Sequence, residues 1–191
     1  MAIRPIIKQG NSKLKEHNIE IASFGTEQLK SLVQDMIDTM RNADLIGLAA
    51  PQIAENFQVF ITEPRETASR KGDQVDELRV FINPQLLELT GEEKIIYEGC
   101  GCVDNLFGPV SRKELVTIEA YDVDGNKFTM KADGILGRVM LHELDHLNGL
   151  EFTNHSPEES LVSRDDYIAN IRNSEQQLKN SIISIKEYHR N

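Results

Sequence analysis

From Thr26 to Met40 the apolar side chains Leu29, Leu32, Val33, Met36, Ile37 and Met40 recur at intervals of three and four. That spacing gathers them on one face of an amphipathic helix, with Thr26 as its N-cap and Glu27 in its first turn. The pattern breaks at "LIGLAAPQI", where Gly47 and Pro51 punctuate an apolar run and predict an extended or turning strand. "QVFIT" and "LRVFINP" read as short strands, and the polar stretch around "RETASRKGDQ" between them reads as a solvated surface insertion. "LVTIEAYDVDGNKFTMKA" predicts a hairpin that turns at Asp124–Gly125. Helical spacing returns in "ADGILGRVMLHELDHLNG", with Asp133 as cap and Asn148–Gly149 as the end. A last helix is expected after Ser156, which forms a capping box with Glu159 and has Pro157 at the first helical position. Its apolar stripe would be Leu161, Ile168, Ile171, Leu178, Ile182 and Ile185. Strands clustered between helices predict an α+β fold. The expectation is a single domain over 1–191, antiparallel strands around a central helix, with 156–191 as a C-terminal helical segment.

Composition narrows the classes of function. A chain of 191 residues with 39% hydrophobic and 27% charged residues fits one globular domain. The net charge of -10 argues against broad nucleic-acid binding, so no DNA partner is expected. No apolar run reaches the roughly 20 residues that a membrane span needs. "MAIRPIIKQG" lacks the apolar core of a secretory signal, so a cytoplasmic location is expected. The two cysteines, Cys100 and Cys102, are too few for a disulfide framework and point instead to metal or thiol chemistry.

The candidate chemistry sits in "MLHELDHLNGL". His142 and His146, four apart on a helix, can face one ion, and Ile135 and Val139 share that face. Glu143 is turned about 100° from His142, which places it beside the ion as a general base without making it a ligand. A third ligand must come from elsewhere: Gly149 suits a longer HExxHxxGxxH pattern, but Phe152 stands where its last histidine belongs, and His155 has the wrong offset. A cysteine is the best remaining donor. One cysteine would leave an open, catalytic position, whereas Cys100 and Cys102 together would close a structural Cys2His2 site. Residues two apart on a strand have Cα atoms about 6.6 Å apart, so the closed site requires a turn. Glu98 and Arg112, which flank the cysteine segment and "PVS", are read as an ion pair fixing it. Arg138, four residues before His142, is expected to line a pocket with its stem and to send its head to solvent or to a carboxylate at the mouth.

Three segments in this order, "GLAAPQ" at 47–52, "EGC" at 98–100 and "LHELDH" at 141–146, resemble peptide deformylase, and the likeness runs from about residue 6 to about residue 155. The resemblance implies a single α+β domain that removes the formyl group from N-formylmethionyl nascent peptides. It implies Cys100, His142 and His146 as metal ligands, Glu143 as acid/base, and Gln52 with the Gly101 N–H as oxyanion donors. It implies Fe2+ as the metal, with Zn2+, Ni2+ or Co2+ able to substitute, where ligand softness alone points to zinc. The peptide is expected to add as a strand along Ile46 and Gly47, its methionine in a pocket with Glu98, Ile135, Arg138 and Val139. Leu45, Gly101 and Cys102 depart from the usual motifs, in which a glycine, a leucine and a serine stand there. Two other classes fit the helix: a zinc peptidase, and a metal-stabilised binding protein. Lys179, Lys186 and Arg190 are a candidate basic patch toward the ribosome.

Overall fold

The computed structural model describes residues 2–70 and 74–190. The first predicted helix forms as α1, Glu27–Asn42, and the Thr26 hydroxyl accepts from the Leu29 N–H at 3.2 Å. Its stripe is buried against Leu48, Ile53, Val59 and Ile61, with Leu32 half-buried at the margin. The "LIGLAAPQI" segment becomes strand β1, Gly47–Ala49, followed at once by a 3-10 turn, Ala50–Ile53. Strand β2 is Val59–Thr62.

Strands β3, Arg79–Cys100, and β4, Val103–Tyr121, form one long antiparallel hairpin closed by a turn at Gly101–Cys102. Periodicity predicts only the start of β3 and the end of β4. The remainder is hidden because four register shifts interrupt the alternation of faces, and because Pro84, Gly91, Gly99, Gly108 and Pro109 read as breakers. Strand β5, Lys127–Ala132, completes the predicted hairpin through Gly125, whose φ of 87° suits glycine.

The metal-type helix is α2, Gly134–Leu147, and 11 of its 14 residues are buried. One side, with Leu136, Met140 and Leu147, packs on Phe60, Phe81, Ile118 and Phe128 of the sheet. Burial on both sides fixes its rotation, so the histidine face cannot swing.

The C-terminal segment corrects the expectation of one amphipathic helix. A 3-10 turn, Glu158–Ser160, leads into a short strand β6, Val162–Ser163, paired with β4. Helix α3, Arg164–Asp166, continues as a π-helical turn, Tyr167–Ile171, before helix α4, Glu175–Asn180. Strand β7, Ile185–Arg190, then pairs with β5, so the sheet order is β1-β2-β3-β4-β5-β7, with β6 on β4. Ser156 caps no helix. The Ser174 hydroxyl starts α4 instead, accepting from Gln177 N at 3.3 Å, which ends the preceding helix. The open edge of β5 takes up the last residues as a strand. The proposed stripe is consequently not a buried face: Leu178, Ile182 and Ile185 are exposed, whereas Tyr167 and Gln177 are buried.

Asp133 stands at the N-cap position of α2, as predicted, but its side chain makes no capping bond to the helix. Its Oδ1 accepts from Ser184 N at 2.5 Å, and the Ile135 N–H in the first turn of α2 donates to Ser181 O at 3.1 Å. Lys186 lies 3.5 Å from Asp133, and Arg190 bonds Asp122 at 2.6 Å, so two cations of the proposed basic patch face carboxylates. The polar loop around residues 63–78 is not simply solvated. Thr67, Ser69, Arg70 and Gln74 border a cavity, while residues 71–73 lie outside the described residues.

Candidate metal centre

Helical spacing sets the His142 and His146 rings 4.9 Å apart and nearly perpendicular, at 81°. The end of β3 brings Cys100 Sγ to 3.2 Å from His146 Nε2. One donor atom each from Cys100, His142 and His146 lie within 4.8 Å of one another, the only such group of three among the described residues. The turn that a closed Cys2His2 site would need is present, yet Cys102 stays outside that group. It is 1% exposed, and its backbone N–H donates to Cys100 Sγ at 3.3 Å. One thiol and two imidazoles suit a divalent metal with an open position.

Glu98 organises the surroundings. Its Oε1 accepts from Arg112 Nε at 2.8 Å and Arg138 Nη1 at 3.0 Å, and its Oε2 accepts from Arg112 Nη2 at 3.0 Å. The same Oε2 is 2.8 Å from His142 Nδ1. A proton on Nδ1 leaves Nε2 as the donor toward a metal. The pairing of Glu98 with Arg112 holds, and Glu98 also answers Arg138. The Arg138 head does not reach solvent: it is buried, and it also donates to Val110 O at 2.8 Å and Lys94 O at 2.7 Å. A guanidinium beside an apolar face is too costly to leave unpaired, and the nearest carboxylate is inside, not at the mouth. Both residues border the cavity, with their charges answered within the protein.

The sequence leaves Asp145 open as a structural carboxylate or an exposed charge and gives His155 no part in this network. Asp145 Oδ2 lies 2.7 Å from Arg112 Nη2 and 3.0 Å from His155 Nε2. An acidic residue on the outer side of a helix carries no sequence signal for such a role.

The electrostatics follow from burial and these partners. Burial opposes ionisation of Glu98, but the charge of Arg112 and the His142 hydrogen bond outweigh it and hold the carboxyl well below its usual range. Burial likewise opposes the His142 imidazolium, and the Glu98 bond outweighs it, so His142 is raised. His146 is pushed well down by burial and by His142, which leaves it neutral and able to ligate. The Cys100 thiol is pushed up by its side-chain contact with the Cys102 thiol and by burial, against the backbone N–H of Cys102, so metal uptake must release its proton. Glu143 is raised to about 7, chiefly by burial, and its Oε2 has no hydrogen-bond partner.

Gly47 is glycine because α2 presses on β1. A Cβ there would lie against Glu143 Oε1 and Val139 Cγ1, well inside contact distance. Gln52 Oε1 accepts from Ala49 N at 2.7 Å, which turns its amide Nε2 toward Cys100 Sγ, 3.5 Å away, and Cys102 Sγ, 3.6 Å away. At Gly101 the volume of a side chain is already taken, since an added Cβ would sit 3.0 Å from Leu45 Cδ1 and 3.3 Å from Ile6 Cδ1. A cavity of about 710 Å³ opens at the centre, bordered by Ile46, Gly47, Ile135, Val139, His142 and Glu143.

Glu98→Gln leaves two buried guanidiniums facing a neutral amide. It should cost about 3–5 kcal/mol in urea unfolding and weaken metal binding about 10- to 100-fold in a metal titration. The pH dependence has a definite sign. A carboxyl depressed on folding contributes its full stability above its unfolded pKa, about 4.3, and loses it as pH falls below that value. Wild type should therefore lose stability below about pH 4.3 more steeply than the variant; parallel acid curves would deny Glu98 this role.

A thiol–imidazole trio with both histidines buried, beside a buried carboxyl whose Oε2 has no partner, set in an α+β frame, defines a metallohydrolase of the HExxH class. The polypeptide deformylase family model matches residues 3–161. The peptide deformylase of Dictyoglomus thermophilum is 36% identical over 163 residues, covering 85% of this chain and 99% of that one. Peptide deformylase 1 of Clostridium perfringens is 35% identical over 155 residues, covering 81% and 99%. A Met-Ala-Ser-bound class I type b peptide deformylase from Acinetobacter baumannii superposes with a TM-score of 0.76 at 28% identity, covering 81% of this chain and 98% of that one. The chain belongs to the peptide deformylase family.

Proposed function

We infer that this protein removes the N-formyl group from the formylmethionine of newly made polypeptides, using one divalent metal held by Cys100, His142 and His146. The observation that carries this reading is the donor trio with Glu143 beside it, buried and with Oε2 unpartnered. The donor set fits the metal: a soft thiol, one imidazole kept neutral by burial, and one oriented by Glu98. When bound, a divalent cation there supplies Lewis acidity and brings the pKa of a water toward about 7.

The chain's own residues do the rest. Glu143 takes the proton of the attacking water and returns one to the leaving amine, a role suited to a carboxyl raised to about 7. The Gln52 amide and the Gly101 N–H stabilise negative charge on the former carbonyl oxygen, each contributing about 3 kcal/mol in comparable sites. Ile46 O accepts from Glu63 N at 2.8 Å, so the N–H and C=O of Gly47, next along the strand, face the opposite edge. That edge receives the peptide as an added strand, which tolerates varied sequences, and the apolar face of Ile135 and Val139 takes the methionine.

Fe2+ is the expected resident metal, with Zn2+, Ni2+ or Co2+ as substitutes. The proposed location is the cytoplasm, where formylated chains emerge from the ribosome. Among the described residues, no helix is long and apolar enough to cross a membrane. The test is formate release from formyl-Met-Ala-Ser by metal-replete protein, with acetyl-Met-Ala-Ser and a casein digest alongside. Formate from the first alone supports the reading. Cleavage of casein without formate would replace it with a peptidase.

A further inference from the structure

The cavity beside the metal centre has a far wall that the family match, which ends at residue 161, does not include. The C-terminal segment builds that wall, and the outer edge of β3 shows how. Tyr97 lies opposite Pro109, which has no N–H to give, so Tyr97 turns its own N–H and C=O away from β4. Gln177 answers both: its Oε1 accepts from Tyr97 N at 3.0 Å, and its Nε2 donates to Tyr97 O at 3.5 Å. Two residues back on the same edge, Ile95 O accepts from Asn180 Nδ2 at 2.9 Å. Gln177 and Asn180 stand one helical turn apart on α4, so the helix occupies this edge at alternate residues.

Gly99 is the next residue of that edge and borders the cavity. The Phe107 ring lies over it, since a Cβ at Gly99 would come within 2.6 Å of Phe107 Cε1. Phe107 stacks on Tyr167 at 4.1 Å with planes 3° apart, and Tyr167 is itself buried. Two bonds hold the segment to the loop across the cavity: Arg172 Nη1 to Ala68 O at 2.7 Å, and Ile183 N to Gln74 Oε1 at 2.8 Å.

We propose that the C-terminal segment is a specificity element: Gln177 ends the open backbone edge at Gly99, and the Phe107–Tyr167 stack receives the side chain of the residue after methionine. The site then pairs with a short N-terminal stretch and favours an aromatic or large apolar second residue. This rests on the deformylase reading, so the test separates the two. Binding of the product peptides Met-Phe-Ser and Met-Ala-Ser to metal-replete protein is measured by calorimetry, and formate release is measured independently.

Wild type should bind Met-Phe-Ser more tightly. Tyr167→Ala should cut that preference about tenfold, while Tyr167→Phe, which keeps the ring, should preserve it. Gln177→Ala uncovers the Tyr97 backbone and should give Met-Ala-Ser-Ala-Ala an advantage over Met-Ala-Ser that wild type lacks. Phe107→Leu gives a second reading of the aromatic preference should Tyr167→Ala fail to fold. Equal preference in wild type and in the folded wall variants, with metal content unchanged, would overturn the proposal. Absence of formate release in wild type would instead remove the catalytic reading, and the binding ratios would still decide the wall.

Discussion

Glu143→Gln should lower formate release about 100- to 10,000-fold while leaving metal content stoichiometric. The substitution keeps the shape of a side chain that is 3% exposed, and removes only the capacity to take a proton. Ligand positions are untouched, because Cys100, His142 and His146 are held by the β3 turn and by a helix buried on both sides. Stability gives a second readout. A carboxyl raised on folding favours the native state while it stays protonated, and that contribution is lost as pH rises from the unfolded value of about 4.3 toward the folded one. The folded value here is about 7. Metal-free wild type should lose stability across this window relative to the Gln variant. Turnover near normal in Glu143→Gln would sink the acid/base role, and loss of metal would mean that the carboxyl ligates.

The second large effect separates the cysteines. Cys100→Ser should abolish tight metal binding and, with it, activity, because a hydroxyl is a poor substitute for a thiolate at a soft site. Cys102→Ser should retain the metal and most of the rate. Its sulfur packs out of solvent near the Gln52 amide, 3.6 Å away, so a serine hydroxyl there would meet a donor. The cost of burying it should stay within about 1–3 kcal/mol. Metal analysis and thermal melts of both variants decide the matter. Equal metal loss in the two would restore the closed Cys2His2 arrangement.

Much of this was legible in the chain. Helix α1, the β4–β5 hairpin and the His142/His146 face of α2 each follow from a single uninterrupted period, which is the condition under which burial writes itself into sequence. The long β3–β4 hairpin was not legible beyond its base, because its bulges reset the alternation every few residues. The spacing of Arg138 predicts a stem beside the ligand face and a carboxylate as one partner for its head, but it cannot show that this carboxylate is the buried Glu98, 40 residues away on another element. The vacancy of a side chain at Gly101 looks like a loosened site in sequence. In space, Leu45 and Ile6 fill it from two distant segments. Gln177 is the clearest limit: a buried polar residue that answers a strand edge obeys no periodicity, and the apolar stripe around it pointed to a helix face that does not exist.

The bond from Ile135 N to Ser181 O, and the pair between Asp133 and Ser184, give the ligand helix an order of events as well as an anchor. During synthesis β1 to β6 and the helix leave the ribosome before the residues that complete the first turn of that helix. Contacts spanning about 45–50 residues close slowly compared with local ones. A growing copy therefore carries an unanchored ligand helix until residues 181–184 have emerged. Shortening the chain at residue 180 should leave such an immature form, with the helix start frayed in hydrogen exchange and metal retention reduced.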